Sequence, residues 1–170
     1  MSPTAIVLHG PTSAGKSSIA RALQASAPTP AFNIAMDAFA EMSNYGDMRT
    51  DAEREQALKL RCKNLQSTLR NVAASHFDII LDLVLRDDEE FAACMSALAP
   101  RPVFVIGIWC PLAVLEERER ARPDRGEGMA REQFGHPAYD RAYAMKVDTS
   151  TVSTEEAAHA IREFVSRSAG

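Results

Sequence analysis

The sequence carries near its beginning the eight residues Gly10-Pro11-Thr12-Ser13-Ala14-Gly15-Lys16-Ser17. They match the pattern G-x-x-x-x-G-K-[ST], whose glycines let backbone N–H groups turn inward around a phosphate group. The lysine of the pattern adds a positive charge for the outer phosphates, and its serine offers a hydroxyl to Mg²⁺. With 8 Gly, 4 Lys and 21 Ser plus Thr, a shuffled chain would contain the pattern about once in a thousand cases. The match therefore favours nucleotide binding over a chance turn.

The segments on either side of this phosphate loop, residues 10–17, favour the same interpretation. Residues 5–8 form a short apolar run that ends before Gly10, which predicts a buried strand. Residues 16–27 have helical apolar spacing up to Pro28, and the N-terminus of such a helix attracts an anion. ATP is thus the predicted ligand. Its predicted binding residues are Gly10, Pro11, Thr12, Ser13, Ala14, Gly15, Lys16, Ser17 and Ser18.

The rest of the chain alternates between strand and helix patterns. Further strands are predicted at 32–36, 78–82, 103–109 and 145–147. Helices are predicted at 51–75, 87–98 and 111–121, and a last helix after the capping-box residues 153–156. This alternation predicts an α/β fold with a parallel sheet of about five strands and helices on both faces. No repeat or linker interrupts it, so residues 1–170 are predicted to form a single domain.

Composition narrows the classes of function. The chain of 170 residues has a net charge of -4, which argues against a nucleic-acid binder that neutralises phosphates. No apolar run approaches the roughly 18 residues that predict a membrane span. Its 3 cysteines show no CxxC pair and favour neither a disulfide framework nor a zinc site, so a cytoplasmic location is expected.

Two aspartates follow predicted strands at the edge where parallel sheets bind ligands. Asp82 is predicted to support Mg²⁺ together with Ser17, with a helix cap or a solvated loop position as its alternative. Asp37 is predicted to act on the hydroxyl group that receives a phosphoryl group. Asp37 also stands where a helix could begin, and from spacing alone an N-cap role is equally open.

Arginines supply a third element. Arg118 and Arg122 share a helix face and Arg125 follows shortly after, so they are predicted to contact phosphate oxygens. The alternative is a solvated helix whose arginines pair with neighbouring glutamates. Residues 124–143 look least like a core, and a mobile lid is predicted over about 118–143.

Several stretches resemble the chloramphenicol phosphotransferase-like family. The matching stretches are 10–17, Asp37, 79–82 (Ile-Ile-Leu-Asp), 107–110, 117–125 (Glu-Arg-Glu-Arg-Ala-Arg-Pro-Asp-Arg), 128–130 (Gly-Met-Ala) and 147–149 (Val-Asp-Thr). The resemblance implies a three-layer P-loop kinase fold with ATP on the loop. It also implies that Asp37 is the base and that Arg122 and Arg125 contact phosphate from the lid.

Two departures from the family bear on the acceptor. Residues 41–54 form a shorter segment than in the chloramphenicol enzyme, and Leu83 replaces a second acid after the third strand. The predicted partner is thus a small molecule with a hydroxyl group, for which chloramphenicol is one candidate. A metabolic kinase acting on a sugar, a nucleotide or a shikimate-like acid stays open. A nucleotide-binding regulator without small-molecule transfer stays open as well.

Overall fold

The computed structural model describes residues 3–122 and 128–169, which contain one five-stranded sheet and seven α-helices. The strands are β1 (Ala5–His9), β2 (Ala31–Ala35), β3 (Asp78–Leu83), β4 (Val103–Trp109) and β5 (Met145–Asp148). The helices are α1 (Lys16–Ala25), α2 (Met36–Ala40), α3 (Asp51–Ala73), α4 (Asp88–Ala97), α5 (Leu112–Arg120), α6 (Met129–Gln133) and α7 (Thr154–Ser168). Two short 3₁₀ turns, Tyr45–Asp47 and Pro137–Tyr139, complete the regular structure.

The sheet places the carboxyl ends of its strands along one edge. Its order is β2-β3-β1-β4-β5, and each neighbouring pair is parallel. In this register Asp82 lies beside Leu8 of β1 and beside Ala35 of β2. The ends of β1, β2 and β3 therefore meet at one place. The predicted α/β fold with a five-stranded parallel sheet is confirmed.

Helices cover both faces of the sheet and produce two apolar clusters. Val7 and Leu81 face α3 and α4, where they pack against residues such as Leu65 and Leu69. Leu8 and Ile80 point to the opposite face and pack with α1, α5 and α7. Because successive side chains of a strand point to opposite faces, both clusters need strands that are almost wholly apolar. This is the continuous apolar run that the sequence shows.

Side-chain caps fix where the helices begin. Ser153 accepts a hydrogen bond from the Glu156 amide, and the Glu156 side chain accepts one from the Ser153 amide, which is the predicted capping box. Thr50 and Glu53 form a second box at the start of α3. These bonds satisfy backbone donors that a helix leaves unpaired at its first turn.

Some boundaries differ from the sequence prediction. β2 ends at Ala35, so Asp37 lies in the first turn of α2 and not at the end of a strand. Within the predicted lid, Ala130, Gln133 and Ala138 are buried, so these three positions pack against the rest of the fold. No helix in residues 3–122 and 128–169 is long and apolar enough to cross a membrane.

Candidate active site

The phosphate loop follows the central strand β1, and its backbone needs glycine at two positions. A Cβ atom on Gly10 would lie 2.0 Å from the Ile108 carbonyl oxygen, closer than packed atoms come. Gly15 has a φ of 96°, in the left-handed region that residues with a Cβ rarely adopt. Ser13 also has a positive φ, 60°. The loop therefore turns sharply on both sides of Ala14.

Polar groups within the loop fit an anionic ligand. Lys16 is only 5% exposed, and its Nζ donates a hydrogen bond to the Pro11 carbonyl at 2.7 Å. The hydroxyl oxygens of Thr12 and Ser13 are buried without a hydrogen-bond partner among the described residues. Since buried polar atoms are nearly always paired, two unpaired hydroxyls beside a buried ammonium group suit phosphate oxygens.

Ser17 and Asp82 form the oxygen pair expected for magnesium. The Ser17 hydroxyl donates to Asp82 Oδ2 at 2.6 Å, and Asp82 is 7% exposed within β3. The helix-cap and solvated-loop alternatives for Asp82 are therefore wrong. No group of three or more His, Cys, Asp or Glu residues suited to a metal occurs in the described part of the chain. Mg²⁺ usually takes one or two protein oxygens and completes its shell with phosphates and water, so the pair fits it.

Asp37 stands in the first turn of α2. The N-cap residue of that helix is Ala35, and no side chain caps the helix end. The N-cap alternative for Asp37 is therefore wrong.

Most of the predicted site residues line one cavity of about 720 Å³. The predicted residues that line it are Thr12, Ser13, Gly15, Lys16, Ser17, Ser18, Asp37, Asp82, Arg118 and Arg122. Gly10 and Pro11 instead line a separate cavity of about 500 Å³ with His9 and Trp109, and Ala14 is fully buried. Arg125 lies outside the described residues, so its predicted phosphate contact stays a prediction.

Arg118 lies beside the phosphate loop and is held by Thr149, the residue that follows β5. Its Nη1 donates to Thr149 Oγ1 and its Nη2 to the Thr149 carbonyl, both at 2.8 Å. Nη1 is also 3.8 Å from the position of a Cβ on Gly15. Glu119, the glutamate that follows Arg118, accepts instead from the amides of Gly128 and Ala130. Among the described residues, Arg118 therefore bonds to Thr149 and not to a glutamate of its own helix, which was the alternative prediction.

Two residues in the site were missed by the sequence prediction. Gln133 Oε1 accepts a hydrogen bond from the Thr12 amide at 2.7 Å. Thr149 Oγ1 donates to the Ala14 carbonyl at 2.9 Å. Thr149 had a signal, since it follows the last strand in a stretch that resembles the family. Gln133 had none, because nothing in its neighbours predicts a contact 121 residues away.

His9 is the last residue of β1 and is buried directly before the phosphate loop. Its imidazole is fully buried and lies 2.7 Å (Nε2) from the Leu85 carbonyl and 2.8 Å (Nδ1) from the Tyr143 hydroxyl. Burial lowers the pKa of His9 to about 4, against the hydrogen bond to Leu85, and the charges of Arg141 and Lys16 lower it further. In the neutral ring Nε2–H donates to Leu85 and Nδ1 accepts from Tyr143, because a carbonyl oxygen can only accept.

Comparison with known proteins gives one family. The family model described as chloramphenicol phosphotransferase-like protein matches residues 4–166, and no curated protein sequence matches the chain significantly. A sugar kinase from Janibacter sp. HTCC2649 is 15% identical with a TM-score of 0.72, covering 96% of this chain and 95% of that one. The APS kinase of Mycobacterium tuberculosis, in complex with AMPPNP and APS, is 16% identical (TM-score 0.71; 97% and 98% covered).

A third solved structure is the tunicamycin resistance protein of Deinococcus radiodurans. It is 18% identical with a TM-score of 0.60, and the match covers 97% of this chain and 95% of that chain. At these identities the likeness shows a shared kinase fold and does not select an acceptor. Together with the family match, it supports a small-molecule phosphotransferase.

Proposed function

The chain belongs to the chloramphenicol phosphotransferase-like family, and on that premise we propose that it transfers the γ-phosphate of ATP to a hydroxyl group of a small molecule, with Mg²⁺ as cofactor. One observation carries the proposal. The Asp37 carboxylate lines the same cavity as Lys16, Ser17 and Asp82. A protein that only binds or hydrolyses nucleotide has no need of a further carboxylate for an acceptor hydroxyl at this position.

In the proposed reaction the acceptor oxygen attacks the γ-phosphorus of ATP. The bond between that phosphorus and the oxygen bridging to ADP breaks, and the proton of the acceptor hydroxyl passes to Asp37. Lys16 and the amides of the phosphate loop bind the phosphate oxygens. Arg118 and Arg122, which line the cavity, offset the negative charge that spreads over the transferring group. Magnesium bound beside Ser17 and Asp82 would neutralise charge on the phosphates.

The proposed acceptor is neutral and partly apolar. Among the cations of the described residues, Arg54 pairs with Asp51, Arg86 with Glu132, and Arg141 with Asp88. The short segment of residues 41–54 exposes Met42 and Tyr45, whose exposed fractions are 68% and 40%. A neutral hydroxyl compound, such as an antibiotic of the chloramphenicol kind, would contact this apolar surface without needing a cation from these pairs.

Substitution of Asp37 tests this function. We expect Asp37→Asn to leave the affinity for MgATP within a few fold and to lower transfer about 10²–10⁴-fold, the range that a general base contributes. Calorimetry measures the affinity. Mass spectrometry of products that gain one phosphate, across antibiotics and common hydroxyl metabolites, measures transfer and identifies the acceptor.

Asp140→Asn is the matched control, because Asp140 is exposed and lies outside the cavity that Asp37 lines. It should retain both binding and transfer. Full transfer by Asp37→Asn would give this carboxylate a structural role. Binding of MgATP by the wild type without transfer to any acceptor in the screen would instead favour the regulator.

A further inference from the structure

The segment of the phosphate loop between Thr12 and Ala14 is held from outside the loop at both ends. At one end the Thr12 amide donates to Gln133 Oε1 at 2.7 Å, and at the other the Ala14 carbonyl accepts from Thr149 Oγ1 at 2.9 Å. Between them stands Ser13, with its positive φ of 60°. A residue with a Cβ in this conformation is strained, so neighbouring contacts must maintain it.

The two residues that make these contacts, Gln133 and Thr149, are themselves connected by hydrogen bonds to adjacent residues of α5. Arg118 donates to Thr149. Glu119 is 5% exposed, and its carboxylate accepts from the amides of Gly128 (2.9 Å) and Ala130 (2.8 Å) at the start of α6. Gln133 ends that helix of only five residues. The position of α5 is thereby linked to the conformation of the loop along two routes.

The Gln133 contact differs from an ordinary surface hydrogen bond. Gln133 is 7% and Thr12 is 4% exposed, so water cannot easily replace either partner. If the amide oxygen of Gln133 were removed, the Thr12 N–H would be left buried and unpaired, which is costly unless the loop changes conformation. A changed loop would no longer present its amides to phosphate in the same arrangement.

We propose that Gln133 is a positioning residue for phosphate binding, whose side-chain oxygen holds the Thr12 amide and with it the left-handed turn at Ser13. This inference rests on the proposed function, since the positioned loop is the one that binds the phosphates of ATP. Gln133 acts through Thr12 and need not touch the nucleotide.

Gln133→Met tests the proposal, because methionine has a similar length but no amide oxygen. We expect its dissociation constants for MgATP, MgADP and inorganic tripolyphosphate to rise about tenfold, the effect of one lost buried hydrogen bond. The similar factor for tripolyphosphate shows that the loss concerns phosphate and not the base. Calorimetry measures all three. Wild-type affinity for tripolyphosphate in Gln133→Met would overturn the proposal.

Gln24→Met is the matched control. Gln24 is an exposed residue of α1 whose Nε2 donates to the Ala31 carbonyl, so this variant also loses a side-chain hydrogen bond. It should bind all three ligands like the wild type. An equal loss in both variants would assign the effect to general destabilisation and would overturn the proposal.

Hydrogen exchange of the Thr12 amide supplies a test that needs neither ligand nor a stable Met variant. In the wild-type protein without nucleotide, this amide should exchange slowly, and Gln133→Glu, which keeps an acceptor oxygen, should preserve much of the protection. Fast exchange in the wild type would contradict the proposal directly. Failure of the wild type to bind MgATP would instead refute the proposed function, and the two failures are thereby distinguished.

Discussion

His9 precedes the phosphate loop by one position, and its neutral imidazole joins β1 to Leu85 and Tyr143. Such a buried ring is compatible with the fold only while it stays uncharged. Burial lowers its pKa to about 4 in the folded chain, from an ordinary value of 6.5. As the pH falls below 6.5, the unfolded chain takes up a proton at His9 that the folded chain does not bind. The free energy of unfolding therefore decreases until the pH falls to the pKa of the folded chain.

The pH dependence of stability follows from this residue. We expect His9 to reduce the free energy of unfolding by about 3 kcal/mol between pH 7 and pH 4. His9→Gln, which cannot titrate, should remove that part of the pH dependence in urea titrations at a series of pH values. Identical pH profiles for His9→Gln and the wild type would show that His9 is not the source.

At the scale of elements, the contact between the end of β1 and β4 has no room for a side chain. An added Cβ at Gly10 would meet the Ile108 carbonyl at 2.0 Å, and backbone cannot move aside as a flexible side chain can. β1 and β4 would have to separate around it.

Gly10→Ala should therefore lower the free energy of unfolding by about 1–3 kcal/mol, the usual cost of overpacking. Gly46→Ala offers a control with the same chemical change, because a Cβ there meets nothing within 4 Å. That variant should be neutral or slightly stabilised, since alanine reduces the freedom of the unfolded chain. Urea denaturation compares the two. Equal stability of both variants would mean that β1 and β4 can separate without cost.

The same elements show what a sequence can and cannot predict. β3 and β4 were predictable because each contains a run of consecutive apolar residues, which is typical of strands buried on both faces, and β4 has the predicted bounds. The end of β2 was not, because Met36 is compatible with both a buried strand end and a buried first helical turn, and packing decides between them. The contact of Gln133 with Thr12 could not be predicted for a related reason. Its partner is set by where the fold places α6, and no local pattern of residues encodes that position.

For the whole molecule, the nucleotide should act as a link between segments that are distant in sequence. The cavity at the loop is lined from α1, the first turn of α2, the end of β3, α5 and the segment before α7. A ligand that binds the folded chain alone stabilises it by about 2.7 kcal/mol at a concentration 100 times its dissociation constant.

For a domain of this size, that stabilisation corresponds to a rise of about 5–10 °C in the melting temperature. We expect MgATP to produce such a shift in a thermal melt, because it holds segments from both halves of the chain. Adenosine, which lacks the phosphates, should produce a much smaller one. Lys16→Met should lose most of the MgATP shift, since the buried ammonium group next to the Pro11 carbonyl is then absent. Equal shifts with adenosine and MgATP would place the binding energy on the base and away from the phosphate loop.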